Sequence, residues 1–203
     1  MIELHNIDCM EYLGTLEDNA FELAIVDPPY GIGAGKEKPH NGWVDWGVKE
    51  WDNKIPSPEY FNELFKISKN QIVCGGNYFT KYLPPSMGWV VWDKGQRDFS
   101  LADGELIWTS FDVALRIFNY SRAKALQDGK IHPTQKPVQL YKWLLKNYAK
   151  PGDKIFDSHM GSQSSRIACW DGGFDFWGCE LDKDYFDAGC KRFETYKLQL
   201  KLF

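Results

Sequence analysis

The stretch Ala24-Ile25-Val26-Asp27-Pro28-Pro29-Tyr30-Gly31 ends an apolar run on an acid, two imino acids and an aromatic ring. An amino group on an aromatic ring is a poor nucleophile, because its lone pair is delocalised into that ring. A site that makes it react must accept hydrogen bonds from the NH2 and draw the nitrogen toward tetrahedral geometry. The Asp27 carboxylate and the Pro28 carbonyl supply two acceptors aimed at one point. The rings of Pro28 and Pro29 fix φ, so those acceptors are preorganised. Tyr30 offers a flat face for stacking on an extruded base. The bland alternative is a proline turn that ends a strand, with Asp27 at the surface.

A second set lies in KIFDSHMGSQSSRIACWDGGFDFWGCELD, residues 154–182. Its order is strand, tight glycine turn, helix, strand, acid. In doubly wound folds such a turn brings a ligand to the strand's carboxyl end beside a helix N-terminus. An acid about 20 residues further on grips ribose hydroxyls, and Gly161 to Glu180 fits that spacing. There is no GxGxxG and no P-loop lysine, so the pattern tilts from dinucleotides and ATP toward a nucleoside without phosphates.

The elements that must position these groups alternate between strand and helix. Strands are expected at 2–7, 21–26, 71–74, 89–92, 105–110, 112–118, 154–156 and 174–179. Helices are expected at 10–16, 58–68, from Pro137, at 165–170 and from about Asp184. Pro58 behind Ser57 suits the first turn of one helix. After Pro137, Val138, Tyr141, Leu144, Leu145 and Tyr148 share a face opposite Lys142, Lys146 and Lys150. This alternation implies an α/β sheet with parallel strands. Residues 31–58 read as a long mobile loop carrying Trp43, Trp46 and Trp51. Residues 119–131 read as irregular.

The 203 residues suit one domain, 1–203, with a real core. Hydrophobic residues at 43% and charged residues at 26% are ordinary for a soluble protein. No apolar run approaches a membrane span, and MIELHNIDCM has no signal-peptide pattern, so a cytoplasmic protein is expected. Five scattered cysteines read as reduced thiols, and four separated histidines argue against a metal site. The net charge of −4 hides an uneven distribution. Arg116, Arg122, Lys124 and Lys130 stand close together against Asp128, and six acids crowd residues 171–187. A basic middle is compatible with a polyanion partner, although solvated faces look the same.

Both halves together resemble the amino-methylating DNA methyltransferases over nearly the whole chain. The chain looks like a small bacterial or phage member of the group in which the catalytic motif precedes the cofactor motif. Asp27-Pro28-Pro29-Tyr30 matches the catalytic motif residue for residue. Asp8, in NIDCMEYL, matches the acid that contacts the cofactor's adenine. IHPTQKPVQLYKWLL, residues 131–145, resembles the segment flanking the cofactor's methionine part, with His132, Thr134 and Lys136. Asp157, Gly161, Ser162 and Gln163 fall on the cofactor turn, and Glu180 on the ribose acid. The resemblance implies a seven-stranded, Rossmann-like, circularly permuted sheet and S-adenosylmethionine as cofactor. It implies double-stranded DNA as substrate, adenine N6 as acceptor by base flipping, no metal, a restriction-modification setting, and a homodimer, since relatives often dimerise.

Two departures stand out. Gln163 occupies a position where the family carries a second glycine; left-handed geometry there would cost a glutamine ~1–2 kcal/mol. The specificity region is short, limited to about residues 111–131 and the tryptophan loop, so Trp43, Arg116, Arg122, Lys124 and Lys130 are the candidates for DNA contact. Cytosine N4 is the alternative acceptor, with RNA or protein as lesser ones. A reading of another class is a DNA-binding protein impaired in catalysis because Gln163 spoils the cofactor turn.

Overall fold

β2 (Phe21–Val26) is apolar on both faces, and the computed structural model places it at the centre of the sheet. The structure describes residues 1–36, 47–98, 100–127 and 129–200. Leu23 and Ile25 enter one core, while Ala24 and Val26 enter another on the opposite face. A strand covered on both sides reads as a continuous apolar run rather than an alternating one.

The remaining strands are β1 (Ile2–His5), β3 (Ser68–Cys74), β4 (Val90–Asp93), β5 (Gly104–Thr109), β6 (Arg116–Asn119), β7 (Lys154–Asp157) and β8 (Asp175–Cys179). Their order is β1-β8-β7-β2-β3-β5-β4-β6. β1, β8, β7, β2 and β3 run parallel; β5 is antiparallel to β3 and β4, and β6 runs parallel to β4. The α/β, Rossmann-like architecture is as expected, with eight strands among the described residues, one for each of the eight segments read as extended, where the family resemblance implied seven. The extended run at 112–118 shortens to β6, because a turn from the Val113 N–H to the Phe111 carbonyl interrupts it.

Helices cover both faces. α1 (Cys9–Leu13) and α2 (Pro58–Ile67) pack on one, through Leu13, Tyr60, Phe61, Leu64 and Ile67. α2 starts on Pro58 with Ser57 extended before it, a position where the missing proline N–H costs nothing. On the other face lie α4 (Val138–Tyr148), α5 (Ser164–Gly172) and α6 (Lys183–Leu200). A further helix, α3 (Arg122–Gln127), forms where irregular chain was expected. No described helix is long and apolar enough to cross a membrane.

The topology decides where a ligand can sit. The chain leaves β2 toward β3 on one side and returns through β7 and β8 on the other, so the β2/β7 boundary is a switch point. Ligands bind outside the carboxyl ends of strands at such points. Asp27, Asp157, Glu180 and Asp8 all follow the carboxyl ends of parallel strands, and so come to one edge of the sheet.

Candidate active site

A cavity of about 770 Å³ opens at that edge. Asp8, Asp27, Pro28, Pro29 and Tyr30 line it from the first half of the chain. His132, Thr134, Lys136, Gly161, Ser162 and Glu180 line it from the second. Two segments more than a hundred residues apart thus share one space. A second cavity of about 510 Å³ adjoins it, with Tyr30 and Lys136 common to both.

Glu180 closes β8 and turns back onto the 158–162 turn. Its Oε2 accepts from the Gly161 N–H at 2.8 Å and its Oε1 from the Asp182 N–H at 2.9 Å. Each oxygen keeps a lone pair for a ligand hydroxyl. Burial raises the Glu180 pKa, against the pull of those backbone donors. Asp8 caps α1, accepting from the Met10 N–H through Oδ1 at 2.9 Å, and lines the cavity. Two carboxylates at one end of a deep cleft, beside a glycine turn, suit the hydroxyls and ring nitrogens of a nucleoside.

Asp27 lines the same cavity. The Lys136 ammonium donates to Oδ1 at 2.9 Å and to Oδ2 at 2.8 Å, and the Tyr30 hydroxyl donates to Oδ1 at 2.8 Å. Burial raises the Asp27 carboxyl above its ordinary range, while Lys136 and Tyr30 pull it back. Burial also opposes the Lys136 charge, but Asp27 and Glu105 outweigh it and keep the lysine an ammonium. A carboxylate has about four acceptor positions, and these three bonds leave one on Oδ2. Lys136 was expected at the cofactor's methionine part. Its ammonium is spent instead on Asp27 and on Glu105, 3.2 Å away.

Tyr30 is not free to stack as expected. Tyr78 lies parallel to it, with centroids 4.7 Å apart and planes at 14°. A base using that face must displace Tyr78.

Two expected cofactor residues do not line the cavity. Asp157 is fully buried beneath the turn, accepting from the Ser165 hydroxyl at 2.6 Å and the His159 N–H at 3.0 Å. It holds the turn's shape from behind, and burial pushes its pKa up to about 7. Gln163 takes the left-handed conformation, φ 59°, but its side chain points away from the cavity. Its amide nitrogen donates to the Phe186 carbonyl at 3.0 Å, and its oxygen accepts from Arg166 at 2.7 Å. It packs against Gly189 of α6, where even a Cβ would lie 2.6 Å from the Gln163 Cγ. The left-handed conformation is present, and the side chain stays out of the cavity. Gln163→Gly is therefore expected to leave cofactor affinity within about twofold by calorimetry. It should lower unfolding stability by about 1–3 kcal/mol, because a buried hydrogen-bonded amide is lost and Arg166 is stranded. A large gain in affinity would restore the glutamine as a defect.

The candidate DNA contacts scatter. Arg122 and Lys130 line the second cavity. Arg116 lies exposed on edge strand β6, and Lys124 exposed on α3. Trp43 and Trp46 lie outside the described residues. The described flanks of the 31–58 loop are tied down. Asp52 is buried and accepts from the Gly31 and Ala34 N–H groups, each at 2.8 Å. Lys49 pairs with Asp182 at 2.6 Å and Asp184 at 2.8 Å. Sequence reasoning missed Asp52, Lys49 and Glu105, because a lone charge in a loop or at a strand's start has no local pattern.

His132 and His159 also line the cavity, and burial pushes their pKa values down to about 3 and about 4. A histidine that stays neutral when folded binds protons preferentially when unfolded, so its contribution falls as pH drops below about 6.5. The raised carboxylates Asp27, Asp157 and Glu180 act in the opposite sense. The histidine contribution is thus the difference between wild type and His159→Gln, expected to change by about 2 kcal/mol between pH 7 and 5 in urea unfolding. Parallel stability curves for the two would remove it.

A DNA methylase family model, for N6 and N4 methyltransferases, matches residues 89–191, just over half of the chain. The Type II methyltransferase M2.DpnII of Streptococcus pneumoniae is 25% identical over 245 residues, covering 96% of this chain and 90% of that protein. The Type II methyltransferase M1.MboII of Moraxella bovis is 22% identical over 247 residues, covering 90% and 93%. The M1.HpyAVI–SAM complex superposes with a TM-score of 0.65 at 18% identity, covering 95% of this chain and 100% of that one. The cytosine-N4-specific PvuII DNA methyltransferase gives 0.64 at 14% identity, covering 95% and 86%. On a switch-point fold whose cleft joins a DPPY turn to an acid-tipped strand, that match makes the chain a member of the amino-methylating DNA methyltransferases, the family that includes adenine-N6 and cytosine-N4 enzymes.

Proposed function

We propose that this chain methylates adenine N6 in double-stranded DNA, taking the base out of the helix. The observation that carries the reading is Asp27 on the wall of the first cavity, bonded to Tyr30 and Lys136, which line both cavities, with one acceptor position open on its Oδ2. The first cavity suits the cofactor and the second the base. S-adenosylmethionine supplies an electrophilic methyl on a sulfonium, so the chain need not provide a metal or a nucleophile of its own. Asp8 and Glu180 hold the nucleoside part, and the Gly161 turn lets it approach the backbone.

At the acceptor, Asp27 Oδ2 and the Pro28 carbonyl would accept hydrogen bonds from the two N–H groups of the amine, one of which gives up its proton when the nitrogen gains the methyl. This localises the nitrogen lone pair and points it along the transfer line. Lys136 keeps Asp27 ionised in a setting that would otherwise protonate it. The pair also leaves the site nearly neutral before a cationic cofactor enters. Tyr30 holds the base once Tyr78 has moved aside.

The preference for adenine rests on the aspartate that opens the 27–30 motif, as family habit has it. Incubation with labelled cofactor and duplex oligonucleotides, followed by nucleoside mass spectrometry, tests it. N6-methyladenine is expected. N4-methylcytosine would replace the acceptor and keep the mechanism. No incorporation and no detectable cofactor binding, with DNA affinity kept, would favour the impaired DNA-binding reading.

A further inference from the structure

Glu105, at the start of β5, lines the second cavity and not the first. Its carboxylate lies 3.2 Å from the Lys136 ammonium, 2.7 Å from the Lys94 ammonium and 3.5 Å from the Tyr30 hydroxyl. Lys94–Glu105–Lys136–Asp27 is a row of alternating charges, largely shielded from solvent and balanced overall. A carboxylate buried in such a row is costly unless its partners are fixed.

We infer that Glu105 is a positioning residue for methyl transfer: anchored by Lys94, it shares the Lys136 ammonium with Asp27 and so sets where Asp27 presents its open lone pair. This role rests on the methylation reading above. The geometry supports it by counting donors. Lys136 has three N–H groups, two aimed at Asp27 and one toward Glu105. Without Glu105 the third donor loses its acceptor and the ammonium is free to rotate on Asp27. The Lys94 charge is then unbalanced a short distance away, and the open position on Oδ2 is no longer guaranteed. Because Glu105 stands clear of the cofactor cavity, its loss should spare the cofactor and strike the chemical step.

Other charged or titratable groups bear on Asp27. Lys136 from the segment before α4 and Tyr30 touch it directly. Glu105 of β5 faces it across Lys136, and Cys74 at the end of β3 lies near both. Tyr141 of α4, Tyr60 of α2 and Asp157 of β7 face it from the packed elements. Among these, Glu105 acts to raise the Asp27 pKa, and Lys136 to lower it. Activity that needs ionised Asp27 is lost as pH falls through its pKa. Removing the Glu105 charge should therefore move that acid limb to lower pH, even while kcat falls.

The test uses the full chain with Glu105→Gln and Glu105→Asp, cofactor titration calorimetry, and steady-state transfer to duplex DNA over a range of pH. Thermal melting accompanies each variant. For Glu105→Gln, kcat should fall about tenfold or more, with the cofactor Kd within about twofold and the acid limb shifted down. Glu105→Asp should recover part of kcat and return the limb. Wild-type kcat in Glu105→Gln would overturn the role, and so would an unmoved limb with lost kcat. Loss of kcat together with cofactor binding in both variants would overturn it too, marking Glu105 as structural only. An inactive wild-type protein would refute the methylation reading itself, and this role with it, an outcome distinct from an active wild type with an indifferent variant.

Discussion

Asp27→Ala is expected to lower kcat for methyl transfer by about 100- to 1,000-fold or more. That is the range for removing one preorganised acceptor or donor at a reacting centre. The Pro28 carbonyl alone cannot draw the amine toward tetrahedral geometry, because the second proton keeps no partner. The cofactor Kd should change little, since the proposed nucleoside contacts are made by Asp8 and Glu180, neither of which is bonded to Asp27. The substitution also leaves Lys136 with Glu105 as its sole anionic partner. Asp27→Asn is the companion variant: it keeps the shape, loses the charge, and turns one acceptor into a donor. Calorimetry and single-turnover transfer with both variants give the check. A variant that retains the wild-type rate would remove Asp27 from the mechanism.

Lys136→Met is expected to damage stability and activity together. The side chain is 3% exposed, and it neutralises two carboxylates with contacts of 2.8 and 3.2 Å. Breaking a buried pair from one side costs about 3–5 kcal/mol, because the remaining charge has no compensation. Asp27 can relieve that cost by taking up a proton. It is already raised by burial, and Lys136 is the largest influence lowering it. The acid limb of kcat should therefore move to higher pH, opposite to the shift for Glu105→Gln. At neutral pH the variant should be nearly inactive, with partial recovery in alkaline buffer. Urea unfolding and a pH–rate profile decide it. Unchanged stability with an unmoved limb would mean that the ammonium does not govern Asp27.

Much of the fold was legible because its signals are local. FELAIV reads as a doubly covered strand from composition alone, and Pro28 and Pro29 mark its end. The stripe of Val138, Tyr141, Leu144 and Leu145 marks α4. The boundaries that shifted are those where turn chemistry competes with propensity, as at 111–115 before β6 and in the short helix α3. The order of the eight strands and the reversed direction of β5 depend on which segments find a partner, and no local pattern carries that.

The sequence by itself determined the chemistry. An acid and two prolines after an apolar run, a glycine turn, and an acid at the right spacing carry the resemblance to the amino-methylating DNA methyltransferases, to which the chain belongs. Only the tertiary structure decided how those groups are charged and aimed. Strands β2 and β7 are adjacent, so Lys136 reaches Asp27 across 109 residues of chain. Glu105 joins them from β5, on the far side of β3. Gln163, the most suspect residue in the string, turns into the α5–α6 packing and away from the cavity. The physical reason is the same in each case. Side-chain direction and electrostatic environment follow from which elements become neighbours, and long-range pairing leaves no trace in the spacing of nearby residues.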